Sequence, residues 1–292
     1  MEKDMEHSDY ASDYAGNYAS DYAEKNRAAW NEVAPIHRRQ RKIDLYEAVK
    51  DPAFSVLGDV EKRVLSEIGI QGMQIAHLCC NNGIELISML RMNAGNGVGF
   101  DISDAFIEEA RELAGLAGVN CVFVRTDVLE IPDTYNNQFD VVVFTIGALG
   151  WIADLRRLFE VSRRLLKTGG HLFVYEMHPF LDMLAVPGET QYAPYDELKI
   201  VYPYFSSKPW VDTDGLDYIG GTTYRGKEAI SFPHTLSEIL GALIENGFVI
   251  TEYREYSHDI SAAFAYLEKY QKIPLCYSLV AEKRGYSTDE HR

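Results

Sequence analysis

Asp101 and Asp127 carry the first chemistry legible in this chain. Each closes a short apolar run, Val98–Asp101 in one case and Cys121–Val124 followed by Arg125-Thr126-Asp127 in the other. Counted from Gly83, Asp101 stands close to the roughly 20-residue spacing at which a second-strand acid accepts hydrogen bonds from ribose hydroxyls. A carboxylate opening the next helix is the structural alternative, because acids favour helix N-termini. His178 and His234 are the candidate general bases, since imidazole titrates near neutrality. Each could equally be a structural histidine. Glu176 is a third polar group beside His178, and His258-Asp259 has no spacing that demands a role.

The stretch from Ile75 to Ser103 must position these groups. It reads as strand, tight turn, helix and strand, the first βαβ unit of a nucleotide-binding α/β domain with its ligand at the carboxyl ends of the strands. The turn is poor in glycine: where a dinucleotide fingerprint needs three glycines, Cys79, Asn81 and Ile84 stand. Without those glycines the backbone cannot closely approach a pyrophosphate, which disfavours NAD and FAD. The Lys-bearing phosphate loop of nucleotide hydrolases is also missing. A nucleoside without phosphates relaxes the demand, and Asn81 and Asn82 tolerate left-handed turn geometry better than most residues.

Alternation continues beyond that unit. Helical spacing is expected over 57–68, 84–94, 104–117 and 152–166, with strands at 73–78, 98–101, 121–124, 139–145, 171–176, 248–253 and 274–282. The run Phe139–Thr145 is apolar throughout, as in a strand buried on both faces of a parallel sheet. Lys167-Thr-Gly-Gly170 reads as a helix stop, and Thr235-Leu-Ser-Glu238 as a capping box. The fold expected is α/β, a Rossmann-like seven-stranded, mostly parallel sheet with helices on both faces and an inserted aromatic-rich cap.

The domain layout expected is a low-complexity tail at 1–25 and one domain at 26–292, with lid helices at 26–70 and a substrate cap at 181–233. The tail repeats Ser-Asp-Tyr-Ala with small variations over 8–23. Pro35 is expected to break any single helix between Asn26 and Lys42, and Trp30 is a candidate to cover a ligand. In the cap, Ile200–Phe205 and Thr222–Phe232 read as hairpin strands.

Composition narrows the function. A net charge of −16 argues against a nucleic-acid surface, which needs clustered Lys and Arg. No apolar run approaches the roughly 18 residues of a membrane span, and the acidic start is unlike a secretory signal. A cytoplasmic protein without nucleic-acid or membrane partners is therefore expected, with oligomeric state left open. The four cysteines lack metal-finger or redox spacing and read as small reduced hydrophobes, and no metal site is expected.

In the order and spacing of these motifs, the chain resembles the class I S-adenosylmethionine-dependent methyltransferases of bacterial small-molecule type. The family's acid-x-Gly-x-Gly-x-Gly turn matches His77-Leu-Cys79-Cys-Asn81-Asn-Gly83, its second-strand acid matches Asp101, and its adenine-contacting acid matches Asp127 beside Val128. Phe139–Thr145 resembles the fourth strand, Leu165–Gly170 the turn before the fifth, and Phe232–Phe248 the late helix and strand. The resemblance implies S-adenosylmethionine as cofactor, with contacts at Trp30, His77, Cys79, Asn82, Gly83, Asp101, Ile102, Asp127, Val128 and Thr145. It implies methyl transfer to a small-molecule acceptor, which the cap aromatics suggest is planar or apolar. Where the family has an acid, His77 supplies no fixed charge to the cofactor's ammonium, although neutral imidazole can accept a hydrogen bond. That departure keeps two other readings open: cyclisation or isomerisation on the same fold, and a non-catalytic binding protein.

Overall fold

The structure, a computed structural model, describes residues 21–285. Nine strands occur among them. We number them β1 Gln74–Leu78, β2 Asn96–Asp101, β3 Cys121–Arg125, β4 Phe139–Phe144, β5 Leu166–Met177, β6 Trp210–Asp212, β7 Ala229–Ser231, β8 Phe248–Tyr256 and β9 Cys276–Lys283. The helices are α1 Tyr22–Gln40, α2 Leu45–Ala48, α3 Asp59–Ile68, α4 Ile84–Arg91, α5 Asp104–Ala117, α6 Leu155–Leu165 and α7 Leu236–Glu245.

Seven strands form one sheet in the order β3-β2-β1-β4-β5-β9-β8. The first five are mutually parallel, and β9 runs antiparallel between β5 and β8. Strand order reverses between β1 and β4, which opens a crevice at their carboxyl ends. Period-two alternation sends Ala76, Leu78, Val142 and Phe144 to one core, built with α6 and α7. Ile75, Val141, Val143 and Phe173 go to the other, under α3, α4 and α5. Burial on both faces is why these strands read as continuous apolar runs.

Local signals in the sequence translate directly at several ends. Gly118 adopts a left-handed conformation and stops α5, and Ser103 caps its start by accepting from Phe106 N. Thr235 and Glu238 form the reciprocal capping box of α7.

Three expectations need correction. The helix α1 begins at Tyr22, inside the segment read as tail, and runs through Pro35 without a break. An interior proline costs about 3 kcal/mol. Here Val33 and Ala34 are buried against Phe106 of α5, which offsets that cost. Lys167–Gly170 is not a free stop but the start of β5, where pairing with β4 shifts register between Phe139 and Val141. In the cap, residues 200–205 form no strand. Ile200 makes an isolated bridge to Leu184, and β6 pairs with β7 instead. Pro203 interrupts the first run, and strand interiors exclude proline because it cannot donate to the ladder. The Ser-Asp-Tyr-Ala repeats before Asp21 lie outside the described residues.

Candidate active site

The crevice between β1 and β4 widens into a cavity of 760 Å³. That lies within the range of small-molecule sites, roughly 300–1,000 Å³. Its floor is the loop after β1. Cys79, Asn81 and Gly83 all have positive φ, at 54°, 48° and 71°. These are the three positions where the resembling family carries glycine, so the left-handed backbone persists although two glycines are gone. Asn81 occupies it as expected, while the second non-glycine there is Cys79 rather than Asn82.

Asp101 pins this loop. Its Oδ2 accepts from Asn81 N at 2.8 Å and its Oδ1 from Ser103 N at 2.9 Å. One carboxylate therefore joins the β1 loop to the β2–α5 turn. Burial raises its carboxyl above the ordinary value, against the pull of those backbone donors. Asp127 Oδ1 accepts from Leu129 N at 2.9 Å and faces the same cavity with Val128.

A left-handed Cys costs about 1–2 kcal/mol relative to glycine. Cys79→Gly is therefore expected to leave stability unchanged or raise it by up to about 1 kcal/mol, once glycine's larger unfolded-state entropy is set against the relief. Cys79→Val is expected to cost about 2 kcal/mol or more, because β-branched residues fit positive φ worst. Urea denaturation of both variants checks the pair.

Ten of the twelve residues singled out from sequence line the cavity: Trp30, Cys79, Asn82, Asp101, Ile102, Asp127, Val128, Thr145, His178 and His234. His77 and Gly83 do not. Alternation along β1 sends His77 to the α4 face, where it is fully buried and Nε2 meets Thr145 Oγ1 at 3.0 Å. A direct contact of His77 with the cofactor is therefore corrected. Gly83 faces the protein: a Cβ there would stand 2.3 Å from the Phe123 ring.

The two histidines differ in what they can do. His178 Nδ1 accepts from Phe180 N at 3.1 Å, so its proton is on Nε2, 3.1 Å from Glu255 Oε1. Neutral imidazole has one lone pair, and that pair is already used. His178 caps the turn Pro179–Met183 and cannot serve as a base, which corrects that expectation. His234 Nε2 lies 2.8 Å from Ile152 O and must donate to it, which leaves the lone pair on Nδ1. Burial lowers its pKa and keeps the ring neutral.

Sequence reasoning named Glu176 without giving it a role and missed several other wall residues. Glu176 accepts from the N–H groups of Gly147, Leu149 and Met177, and thereby shapes the loop after β4. Burial pushes its carboxyl up to about 7. Tyr22 packs edge-on to Phe232, and Asn26 exchanges two hydrogen bonds with Ile230 of β7 at 2.7 and 2.8 Å. These contacts lock α1 to the cap. Trp30 meets Trp151 edge-on at 5.0 Å. Glu85, in the first turn of α4, also lines the cavity. Only a resemblance to the unbroken repeat separated Tyr22 from the lid, and Glu85 looked like any first-turn acid.

No group of residues that could hold a metal occurs among the described residues, and all four cysteines are free. No described helix is long and apolar enough to cross a membrane.

Comparison with known proteins gives the class. Residues 75–170 match the family model described as a methyltransferase domain. Over 105 residues the chain is 32% identical to a ubiquinone biosynthesis O-methyltransferase of Erwinia tasmaniensis, a match covering 36% of this chain and 42% of that one. Over 113 residues it is 29% identical to a tRNA U34 carboxymethyltransferase of Campylobacter hominis, covering 39% and 38%. The chain thus spans less than half the length of these curated relatives. Its fold matches a geranyl diphosphate C-methyltransferase of Streptomyces coelicolor solved with S-adenosyl-L-homocysteine, at TM-score 0.58 and 16% identity over 91% of this chain and 99% of that one.

Residues 75–170 thus carry the methyltransferase-domain match, set on the Rossmann-like fold expected from the sequence. The similar structure was solved with S-adenosyl-L-homocysteine, the demethylated form of the cofactor expected from the sequence. The exclusion of nucleic acid drawn from charge has no such support, because one relative bears a tRNA-modifying name.

Proposed function

We propose that the protein methylates a small apolar or aromatic acceptor with S-adenosylmethionine. The observation that carries this reading is the division of the cavity wall. One side is polar and follows the strand ends in order: Asp127 after β3, Asp101 on β2, the Cys79–Gly83 loop after β1, and Thr145 after β4. Three strand spacings give roughly 14 Å, a span that suits adenine, ribose and an amino-acid chain laid end to end. On this reading Asp127 and Val128 hold the base, Asp101 the ribose hydroxyls, and the loop and Thr145 the amino-acid end. The rest of the lining carries aromatic side chains, Trp30, Trp151, Tyr218 and Phe232, with Trp30 edge-on to both Trp151 and Tyr218.

Bound there, the cofactor supplies an electrophilic methyl on sulfur. The protein's own contribution is to hold the acceptor in line, a positioning effect worth up to about 7–11 kcal/mol, and to exclude water under α1. For an acceptor hydroxyl, His234 Nδ1 takes the proton. A small acceptor is favoured over a polynucleotide by the wall's charge. Among the described lining residues Arg41 is the one Lys or Arg, and Glu109 already occupies it in two contacts.

Two measurements test the reading. Calorimetry should detect S-adenosylhomocysteine, and methyl-labelled S-adenosylmethionine should pass label to members of a panel of small phenols. Absence of binding at high micromolar ligand sinks the cofactor assignment, and product formed without label favours cyclisation or isomerisation. With a phenolic acceptor, His234→Ala is expected to lower kcat by about 10²–10⁴-fold with S-adenosylhomocysteine affinity unchanged, whereas His178→Gln should cost less than about tenfold.

A further inference from the structure

β1 lacks the acid that the family resemblance leads one to expect at position 77, and yet a carboxylate reaches the cavity from another element. Glu85 sits in the first turn of α4 and lines the cavity, with 26% of its side chain exposed. Thr145 Oγ1 donates to Glu85 Oε2 at 2.6 Å. A threonine hydroxyl has one proton, so the contact between Thr145 Oγ1 and His77 Nε2 at 3.0 Å must carry a proton on the histidine. The three side chains form a one-way chain of donors, His77 to Thr145 to Glu85, ending on the carboxylate. Burial pulls the His77 pKa down to about 4, so the imidazole acts as a neutral donor.

Among the described residues nothing hydrogen-bonds Glu85 Oε1, and no Lys or Arg pairs with this carboxylate. The other charged groups that bear on it are carboxylates, Glu61 of α3 and Glu176 of β5, and they raise its pKa further. Cys80 of the loop and Tyr218 of the cap face it as neutral groups with raised pKa values. A buried carboxylate held by donors but without a cation carries an uncompensated desolvation cost. A cationic ligand group placed at its free oxygen removes that cost.

We propose that Glu85, held by Thr145 and His77, receives the α-ammonium of the bound nucleoside amino acid and so replaces the charge missing from position 77. The proposal rests on the cofactor reading above. It makes Glu85 a cofactor-binding residue, with Thr145 and His77 as its positioning residues. The strand order supports it, because Thr145 follows β4 and lies beyond Asp101 from Asp127, at the end of the crevice where the amino-acid portion belongs.

The test compares two ligands on the full chain by calorimetry: S-adenosylhomocysteine, and 5′-methylthioadenosine, which keeps the base, ribose and thioether but lacks the amino acid. Glu85→Gln is expected to weaken S-adenosylhomocysteine by about 10–100-fold and methylthioadenosine by less than about threefold. Wild type should favour S-adenosylhomocysteine increasingly as pH rises between about 6 and 8, because the carboxyl titrates near 7 when burial has raised it. In Glu85→Gln that preference should be flat. Thr145→Val, which removes the donor to Glu85, should move the midpoint to higher pH. Equal loss of both ligands in Glu85→Gln, with an unchanged melting temperature, overturns the proposal in favour of a purely structural carboxylate. So does a wild-type preference that ignores pH. Wild type binding neither ligand removes the cofactor reading, and this proposal with it.

Discussion

Asp101→Ala is expected to weaken S-adenosylhomocysteine by about 10²–10⁴-fold. Two hydrogen bonds from ribose hydroxyls to a carboxylate, at about 1.5–3 kcal/mol each, set that range. The carboxylate has the capacity: each oxygen accepts one backbone N–H and keeps a further lone pair for a ligand. Removing it also releases the N–H groups of Asn81 and Ser103. Asn81 then loses the acceptor that holds it in left-handed geometry, so the loop floor loosens as well. Asp101→Asn separates the two effects. It keeps an acceptor oxygen for one backbone donor but turns an amide N–H₂ toward the other, so part of the loop survives while the charge is gone. Calorimetry on both variants, with melting temperatures alongside, gives the partition. If Asp101→Ala binds S-adenosylhomocysteine within threefold of wild type, the ribose assignment is wrong.

How much of this was legible in the sequence depended on whether a signal was local. Buried strands announce themselves as apolar runs, and Gly118, Ser103 and the Thr235–Glu238 box fix helix ends through short-range hydrogen bonds. Asp101 and Asp127 were readable because their position at strand ends follows from the alternation itself. What failed depended on contacts far apart in sequence. Pro35 looked like a breaker because the burial of Val33 and Ala34 against Phe106 cannot be seen locally. His178 looked like a base until Glu255 and Phe180 N claimed both of its nitrogens. Glu85 was invisible for a related reason. Its partner Thr145 follows β4, and only the pairing of β1 with β4 brings the two together. His77 drew attention as the wrong residue in the right place, when the relevant fact was the direction its strand gives it.

Gly83 is where the fold and the site depend most sharply on one missing side chain, and Gly83→Ala is expected to destabilise the protein by about 2–5 kcal/mol. Two costs add. The residue has φ 71°, where an L side chain is strained by about 1–2 kcal/mol. Its Cβ would also lie 2.3 Å from the Phe123 ring and 3.0 Å from the Ala110 Cβ, and such overpacking costs typically 1–3 kcal/mol. The ring cannot retreat toward β2, since a Cβ at Gly99 would already stand 2.6 Å from it. Nor can α4 retreat freely, because Ile87 N donates to Gly83 O and Gly83 N to Cys80 O, which ties the helix start to the loop after β1. The strain therefore passes to Cys80 and Asn81, and S-adenosylhomocysteine affinity should fall in the folded fraction as well. Phe123→Leu discriminates between the two costs. Placed in the Gly83→Ala background it opens room for the methyl group, and it should recover the overpacking share but not the conformational one. Urea denaturation of the two single variants and the double variant reads this as a coupling energy. Strict additivity would mean that Phe123 is not what confines Gly83.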